Sequence, residues 1–181
     1  VPALGYVVEN HELGRALLAR AEQLGVTVRA PVRCVSLEAG EERPAVQTDD
    51  GERLTADLVL LAAGVAEAWF EGLGIGVEER PTGNHAVVFN ASFPGVQQGR
   101  AFERFTSHGP LAVLPLPSLT RSEQRFNVVW SVPDKEIETL GSLGDEAFIS
   151  AFQNAFGWRL GRVSDVGQRS QWPLVRLNAS E

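Results

Sequence analysis

Apolar residues along the chain follow two different periods, and the change from one to the other divides the sequence. Leu13, Leu17, Leu18, Ala21 and Leu24 recur at helical spacing between Asn10 and Gly25. The pattern predicts an amphipathic helix opened by an asparagine N-cap and stopped by a glycine suited to a left-handed C-terminal turn. Ahead of it "YVV" is strand-like. Behind it "VTVRAPVRCVSLE" predicts a strand, and "AVQTDDGERLTADLVLLAAG" predicts a hairpin turning at Asp50-Gly51 into a buried apolar strand. Strand, helix, strand, hairpin, strand is the order of an α/β layer. "VAEAWFEGLGI" then predicts a short helix, and "GVEERPTGN" a connector.

Beyond the connector the period shortens to two. "HAVVFNASF", "GRAFERFTS", "GPLAVLPLP" and "RFNVVWSVP" are strand-like runs separated by turn residues, the signature of an antiparallel sheet. In the last of them Phe126, Val128, Trp130 and Val132 fall on one face, and Asn127, Val129 and Ser131 on the other. "GDEAFISAFQNAFG" returns to helical spacing, with Phe148, Ile149, Phe152 and Phe156 on one stripe between Asp145 and Gly157. "RVSDVGQRSQWPLVRL" closes the chain as irregular strand.

Composition narrows the function classes. The 181 residues are 44% hydrophobic and 22% charged, which suits a globular chain with a real core. The net charge of −7, with no cluster of Lys and Arg, argues against a partner held by its phosphates. A small or lipid-like partner is expected instead. Cys34 is the only cysteine, so no internal disulfide forms and metal sites built on cysteine pairs are excluded. No apolar run reaches the roughly 20 residues that span a bilayer, and the start lacks a basic segment followed by an apolar one. Location is therefore expected to be cytoplasmic. The chain has no methionine, even at position 1, and opens directly in "YVV", which suggests a piece of a longer protein.

Most chemically suggestive residues have ordinary readings. "GLGIG" at Gly72 to Gly76 follows a predicted helix and enters a Pro-bearing connector. A phosphate-binding glycine loop must instead leave a strand and open a helix, so this one reads as a helix C-terminus and turn. His11, His85 and His108 sit in different elements without metal-type spacing. Ser107 beside His108 is adjacency in sequence, which does not make a nucleophile–base pair. "EAGEE" and "VEER" read as solvated loops. No catalytic side chain is assigned, and no metal.

The blocks "GRAFERFTSHGPLAVLPLP…RFNVVWSVP" and "FQNAFGWRLG…GQRSQWPL", preceded by "YVVENHELGRALL", carry a resemblance along almost the whole chain. It is similar to the flavin-dependent aromatic hydroxylases of ubiquinone biosynthesis. The resemblance implies a para-hydroxybenzoate-hydroxylase-like fold of mixed α/β and α+β class. Residues 1–75 would be part of an FAD-binding α/β domain. Residues 76–181 would be an antiparallel substrate-binding sheet with a helix, returning toward the FAD domain. It further implies reduction of FAD by NAD(P)H and use of O₂ to hydroxylate an electron-rich phenol. The demanding chemistry is then the cofactor's, and the protein positions the ring and excludes water.

Of the family's three cofactor motifs, the first and the last fall outside this sequence. The middle one is usually Ala-Asp-Gly at the end of a buried strand, and "AAG" matches it with Ala62 and Gly64 as flanks and Ala63 at the aspartate position. Asp57, six residues earlier, cannot substitute: an extended strand at roughly 3.3 Å per residue puts it about 20 Å away. The resemblance also implies a flavin-side contact at Asn10, whose ordinary reading is the N-cap, and an adenine-side one at Val35, whose ordinary reading is core packing. Leu114, Leu116 and Val129 match sheet positions where relatives hold a substrate carboxylate with polar groups. Apolar here, they are either strand core or a wall for a polyprenylated phenol, each CH₂ of which gains roughly 0.8 kcal/mol on burial. Thr82 and Asn84 stand where relatives often have Tyr and Gln.

Two other classes stay open. A non-catalytic module could keep the sheet for binding or assembling prenyl-quinone intermediates, as the alanine at Ala63 allows. A pyridine-nucleotide or amine-type flavin oxidoreductase would suit "AAG" but not the antiparallel block. Peripheral association with the inner membrane, or with a biosynthetic complex, is compatible with a lipid-like substrate.

Overall fold

A computed structural model describes residues 3–39, 43–62, 69–70, 73–95, 99–117 and 123–180. Its described residues form two compact units, one from Leu18–Arg80 with Val175–Glu181 and one from Val1–Leu17 with Pro81–Leu174. One division between the units falls at Arg80, and residues 1–17 group with the larger unit.

Helix α1 (Asn10–Gln23) crosses that division. The carbonyl of Glu9 accepts from Leu13 N at 3.1 Å, so Glu9 occupies the N-cap and Asn10 is the first helical residue. The expected asparagine cap is thus displaced by one position. At the other end Val26 N donates to Ala21 O and Gly25 N to Glu22 O, both at 3.0 Å, with Gly25 at φ 74°. This is the glycine stop the sequence predicts. The apolar stripe is present, but none of its residues is buried. Residues 3–9, including "YVV", join no strand ladder.

In the smaller unit β1 (Cys34–Glu38), β2 (Ala45–Thr48) and β3 (Arg53–Thr55) form an antiparallel sheet in that order. The hairpin turns at Asp50-Gly51 as expected, with Gly51 at φ 88°. Residues 26–33 stay outside the sheet. The expected buried strand from Ala56 is corrected: residues 56–62 join no ladder, and Leu58 and Leu60 are 71% and 81% exposed. An apolar run becomes a strand only when a neighbour takes its backbone bonds along its length, and here Ala56 N donates to Pro44 O at 3.2 Å without a ladder following it.

The larger unit is built on a sheet of β4 (Gly76–Pro94), β5 (Phe102–Thr106), β6 (Gly109–Pro115), β7 (Glu123–Pro133) and β8 (Asp165–Val166). Their order is β5-β6-β7-β4-β8 with antiparallel neighbours, and β9 (Ser170–Ser180) also pairs with β4. The four predicted strand runs all lie in it. The predicted connector 76–84 is instead the first half of β4, which absorbs Pro81 and a positive φ of 76° at Gly83.

Helix α3 (Asp145–Phe156) matches its prediction, whereas α2 (Asp134–Ser142) has no counterpart in the sequence reading. Only Ile137 and Leu140 of α2 are buried, too few to reveal a period. Both helices cover one sheet face. Phe148 and Phe152 stack edge-on against Phe89 at 4.9 and 5.1 Å, and Phe93, Phe126, Trp130 and Phe156 complete the aromatic core.

Candidate functional site

The alternation that buries one sheet face leaves the other available. Leu111 and Val113 of β6 and Phe126, Val128 and Trp130 of β7 point to the helices. By the strand period Ala112 and Leu114, and Arg125, Asn127 and Val129, point the opposite way. They are half-buried. Across this face Asn127 Nδ2 donates to Asn90 Oδ1 at 3.3 Å.

At one end of the face β6 is prolonged past Pro115 by a bond from Leu116 N to Arg125 O of 2.9 Å. Leu116, 4% exposed, lines a cavity of about 970 Å³ bounded by residues 3–7, 99–101, 115–117 and Gln124. The Gln124 amide donates to the carbonyls of Leu116 (2.6 Å) and Arg125 (2.9 Å) and so stiffens the wall. Apart from Arg100 and Gln124 the lining side chains are apolar or aromatic, and the hollow is open to solvent, with Leu4 and Tyr6 108% and 83% exposed. Such a wall suits a flat aromatic ring with a hydrocarbon substituent. It offers no phosphate cradle, since among the described residues no glycine-rich turn leaves a strand to open a helix.

Of the apolar sheet residues read from the sequence, Leu116 reaches the cavity. Leu114 and Val129 share its sheet face, and neither is among the lining residues. Asn10 is exposed at the start of α1. Beside it the Glu9 carboxylate accepts from Arg125 Nη2 at 2.9 Å, a pairing that sequence reading did not find because 116 residues separate the partners. Val35 sits where the β1–β2 register slips between Cys34 and Ser36 and is 49% exposed, so core packing does not explain it. Ala63 and Gly64 lie outside the described residues. Their neighbour Ala62 lines a small apolar hollow of about 140 Å³ with Cys34, Leu37, Val46 and Trp69.

"GLGIG" behaves as a helix ending where it is described. Leu73 N and Ile75 N both donate to Phe70 O (3.0 and 2.8 Å), and Gly74 takes φ 71°. Two of the histidines have carboxylate neighbours that spacing did not show, and His11 has its sequence neighbour Glu12. His85 Nδ1 is 2.9 Å from Asp134, His108 Nδ1 is 3.5 Å from Glu136, and His11 Nε2 is 3.1 Å from Glu12. Among the described residues no group of three or more His, Cys, Asp or Glu could hold a metal. No helix among them is long and apolar enough to cross a membrane.

No protein-family model matches the chain. It is 32% identical over 173 residues to ubiquinone hydroxylase UbiL of Rhodospirillum rubrum, covering 95% of the chain and 39% of that protein. It is 27% identical over 180 residues to 3-demethoxyubiquinol 3-hydroxylase of Escherichia coli, covering 99% of the chain and 44% of that protein. The chain thus spans about two fifths of the length of these curated relatives. Among solved structures, the flavin-dependent monooxygenase PieE, in complex with FAD and substrate, superposes with a TM-score of 0.61 at 16% identity. That match covers 95% of the chain and 31% of PieE. In sequence the chain is similar to the ubiquinone hydroxylases over nearly all of its own length, and in fold it resembles part of the flavin-dependent monooxygenase PieE.

Proposed function

We propose that this chain provides the substrate sheet and part of the FAD-binding region of a monooxygenase that hydroxylates a polyprenylated phenol in ubiquinone biosynthesis, using NAD(P)H and O₂. The observation that carries this reading is an apolar cavity walled by Leu116, on the open sheet face of a chain homologous to ubiquinone hydroxylases. FAD, when bound, supplies the oxygen-activating chemistry. The chain's own residues bind and orient the ring and keep water out. Leu116 packs on the hydrocarbon part of the phenol, with Leu114 and Val129 extending the same face. Asn10, Val35, Ala63 and Gly64 are assigned to the cofactor side, within residues 1–75, and the substrate sheet to residues 76–181. Because the phenol is carried in lipid, peripheral contact with the inner membrane and with other enzymes of the route belongs to this reading.

The test uses the protein that carries this chain, purified and reconstituted with FAD. NAD(P)H is expected to bleach the flavin, and a polyprenylated phenol is expected to be hydroxylated only when O₂ is admitted. A preparation that binds the prenylated phenol yet neither takes up FAD nor oxidises NAD(P)H would establish the non-catalytic prenyl-quinone module instead. Leu116→Gln places an amide in the apolar wall, at a cost of about 1–2 kcal/mol. KM for a prenylated phenol is expected to rise roughly ten-fold, and that for the unprenylated ring much less. Ala63→Asp restores the acid of the middle motif. If it leaves FAD affinity and NAD(P)H oxidation unchanged, the role assigned to that position is wrong.

A further inference from the structure

We propose that the Arg125–Glu9 ion pair is the positioning contact that holds residues 3–9 and the start of α1 against the open face of the large sheet. It thereby fixes one wall of the cavity. Its significance for turnover rests on the function proposed above, but its geometry does not.

Arg125 belongs to β7, where it pairs with Ser92 of β4, and its side chain shares the open face with Asn127 and Val129. Its carbonyl already receives Leu116 N and the Gln124 amide, so its backbone is tied to the cavity wall. Its guanidinium leaves that wall and meets Glu9 Oε1 at 2.9 Å, with the two side chains only 25% and 31% exposed. Glu9 is the N-cap of α1, with its carbonyl accepting from Glu12 N and Leu13 N (3.0 and 3.1 Å). An N-cap carboxylate is favoured by the positive end of its own helix. Here the same group also reaches across to the sheet.

Residues 3–9 belong to no ladder, and no residue of α1 is buried. Among the described residues no ladder therefore fixes where the chain enters the helix, and of the residues 3–7 that bound the cavity only Ala3 and Val7 are half-buried. A half-buried ion pair bridging 116 residues supplies the missing restraint. Screening at this level of exposure keeps it modest, which suits a positioning role better than a folding role.

Hydrogen exchange on the full chain tests the proposal without flavin or substrate. In Glu9→Gln and in Arg125→Gln, amides of residues 12–17, the first hydrogen-bonded turns of α1, are expected to exchange about three to ten times faster, while those of residues 126–132 keep their protection. The reversed pair, Glu9→Arg with Arg125→Glu, is expected to restore part of the lost protection, the remainder being lost because an arginine at the N-cap opposes the helix dipole. Unchanged exchange at residues 12–17 in both single variants would overturn the proposal. So would a reversed pair no better protected than the singles. If Arg125→Gln also loses protection at residues 126–132, Arg125→Lys decides: it is expected to protect both segments, and loss of the sheet there too would make Arg125 a folding residue. A protein that gives this exchange pattern but no NAD(P)H-dependent hydroxylation would sink the proposed function and leave the positioning contact standing.

Discussion

Gln153 is a buried amide inside an aromatic core, and it spends its polar atoms on the loop that follows its own helix. Its Nε2 donates to Gly157 O (2.7 Å) and Gly161 O (3.2 Å), and its Oε1 accepts from Val163 N (2.8 Å). Gln153→Leu keeps the volume but orphans these groups. A loss of about 1–3 kcal/mol is expected, read as a lower denaturation midpoint with an unchanged m-value. Phe152→Ala should cost more, about 3–5 kcal/mol, because its ring meets Phe89, Phe93, Trp130 and Phe156. The phenylalanine stripe was legible because helical period marks a buried face whatever lies against it. Gln153 was not, since a polar residue beside such a stripe declares nothing until the backbone groups it serves are in place. The same holds for Arg125 and Glu9, ordinary surface charges in sequence and partners only in the fold.

Among elements, local chemistry was read more faithfully than environment. The Asp50-Gly51 turn, the glycine stop of α1 and the strands of the large sheet follow from residue type and period, and they stand in the structure. The run from Ala56 failed as a strand, since its hydrophobicity announces burial without naming a partner. α2 was missed because Pro133 both ends β7 and opens the helix, with only Ile137 and Leu140 buried beyond it.

Two turns can be tested directly. Gly109 takes φ 132°, and a Cβ there would lie 2.8 Å from Ser131 Oγ. Gly109→Ala should therefore strain the β5–β6 turn against β7, at roughly 1–3 kcal/mol, and lower Tm. In the small hairpin the Thr48 hydroxyl, aided by Glu52 N and Arg29, holds the Asp50 carboxyl below its ordinary range despite some opposing desolvation. A depressed carboxyl pKa stabilises the folded turn above the unfolded value, about 3.9, and that contribution fades as pH falls through the folded value. Thr48→Val is expected to shift the Asp50 titration upward in an NMR series, and no shift would discount the hydroxyl.

On the scale of the whole molecule, the described residues divide into two units, each with an antiparallel sheet, and one division lies at Arg80, inside β4. The sheet order β5-β6-β7-β4-β8 also bears on how quickly its parts assemble. Thr106 and Gly109 close β5 on β6 across one turn. The β4–β7 pair, by contrast, joins Pro94 to Glu123 and Asn84 to Pro133, separations of 123 − 94 = 29 and 133 − 84 = 49 residues. Ala91 and Val166, in β4 and β8, are 166 − 91 = 75 apart. Each doubling of a closed loop costs only about 0.6 kcal/mol more, yet that entropy is spent before the distant contacts repay it. The β5–β6–β7 meander should therefore nucleate the sheet, with β4 docking on it and β8 last. In refolding kinetics Val113→Ala and Val128→Ala are expected mainly to slow folding, and Val87→Ala and Val166→Ala mainly to speed unfolding. The strand that crosses between the two units would then be a late arrival, and the aromatic core would close only when it docks, because Phe89 and Phe93 arrive with it.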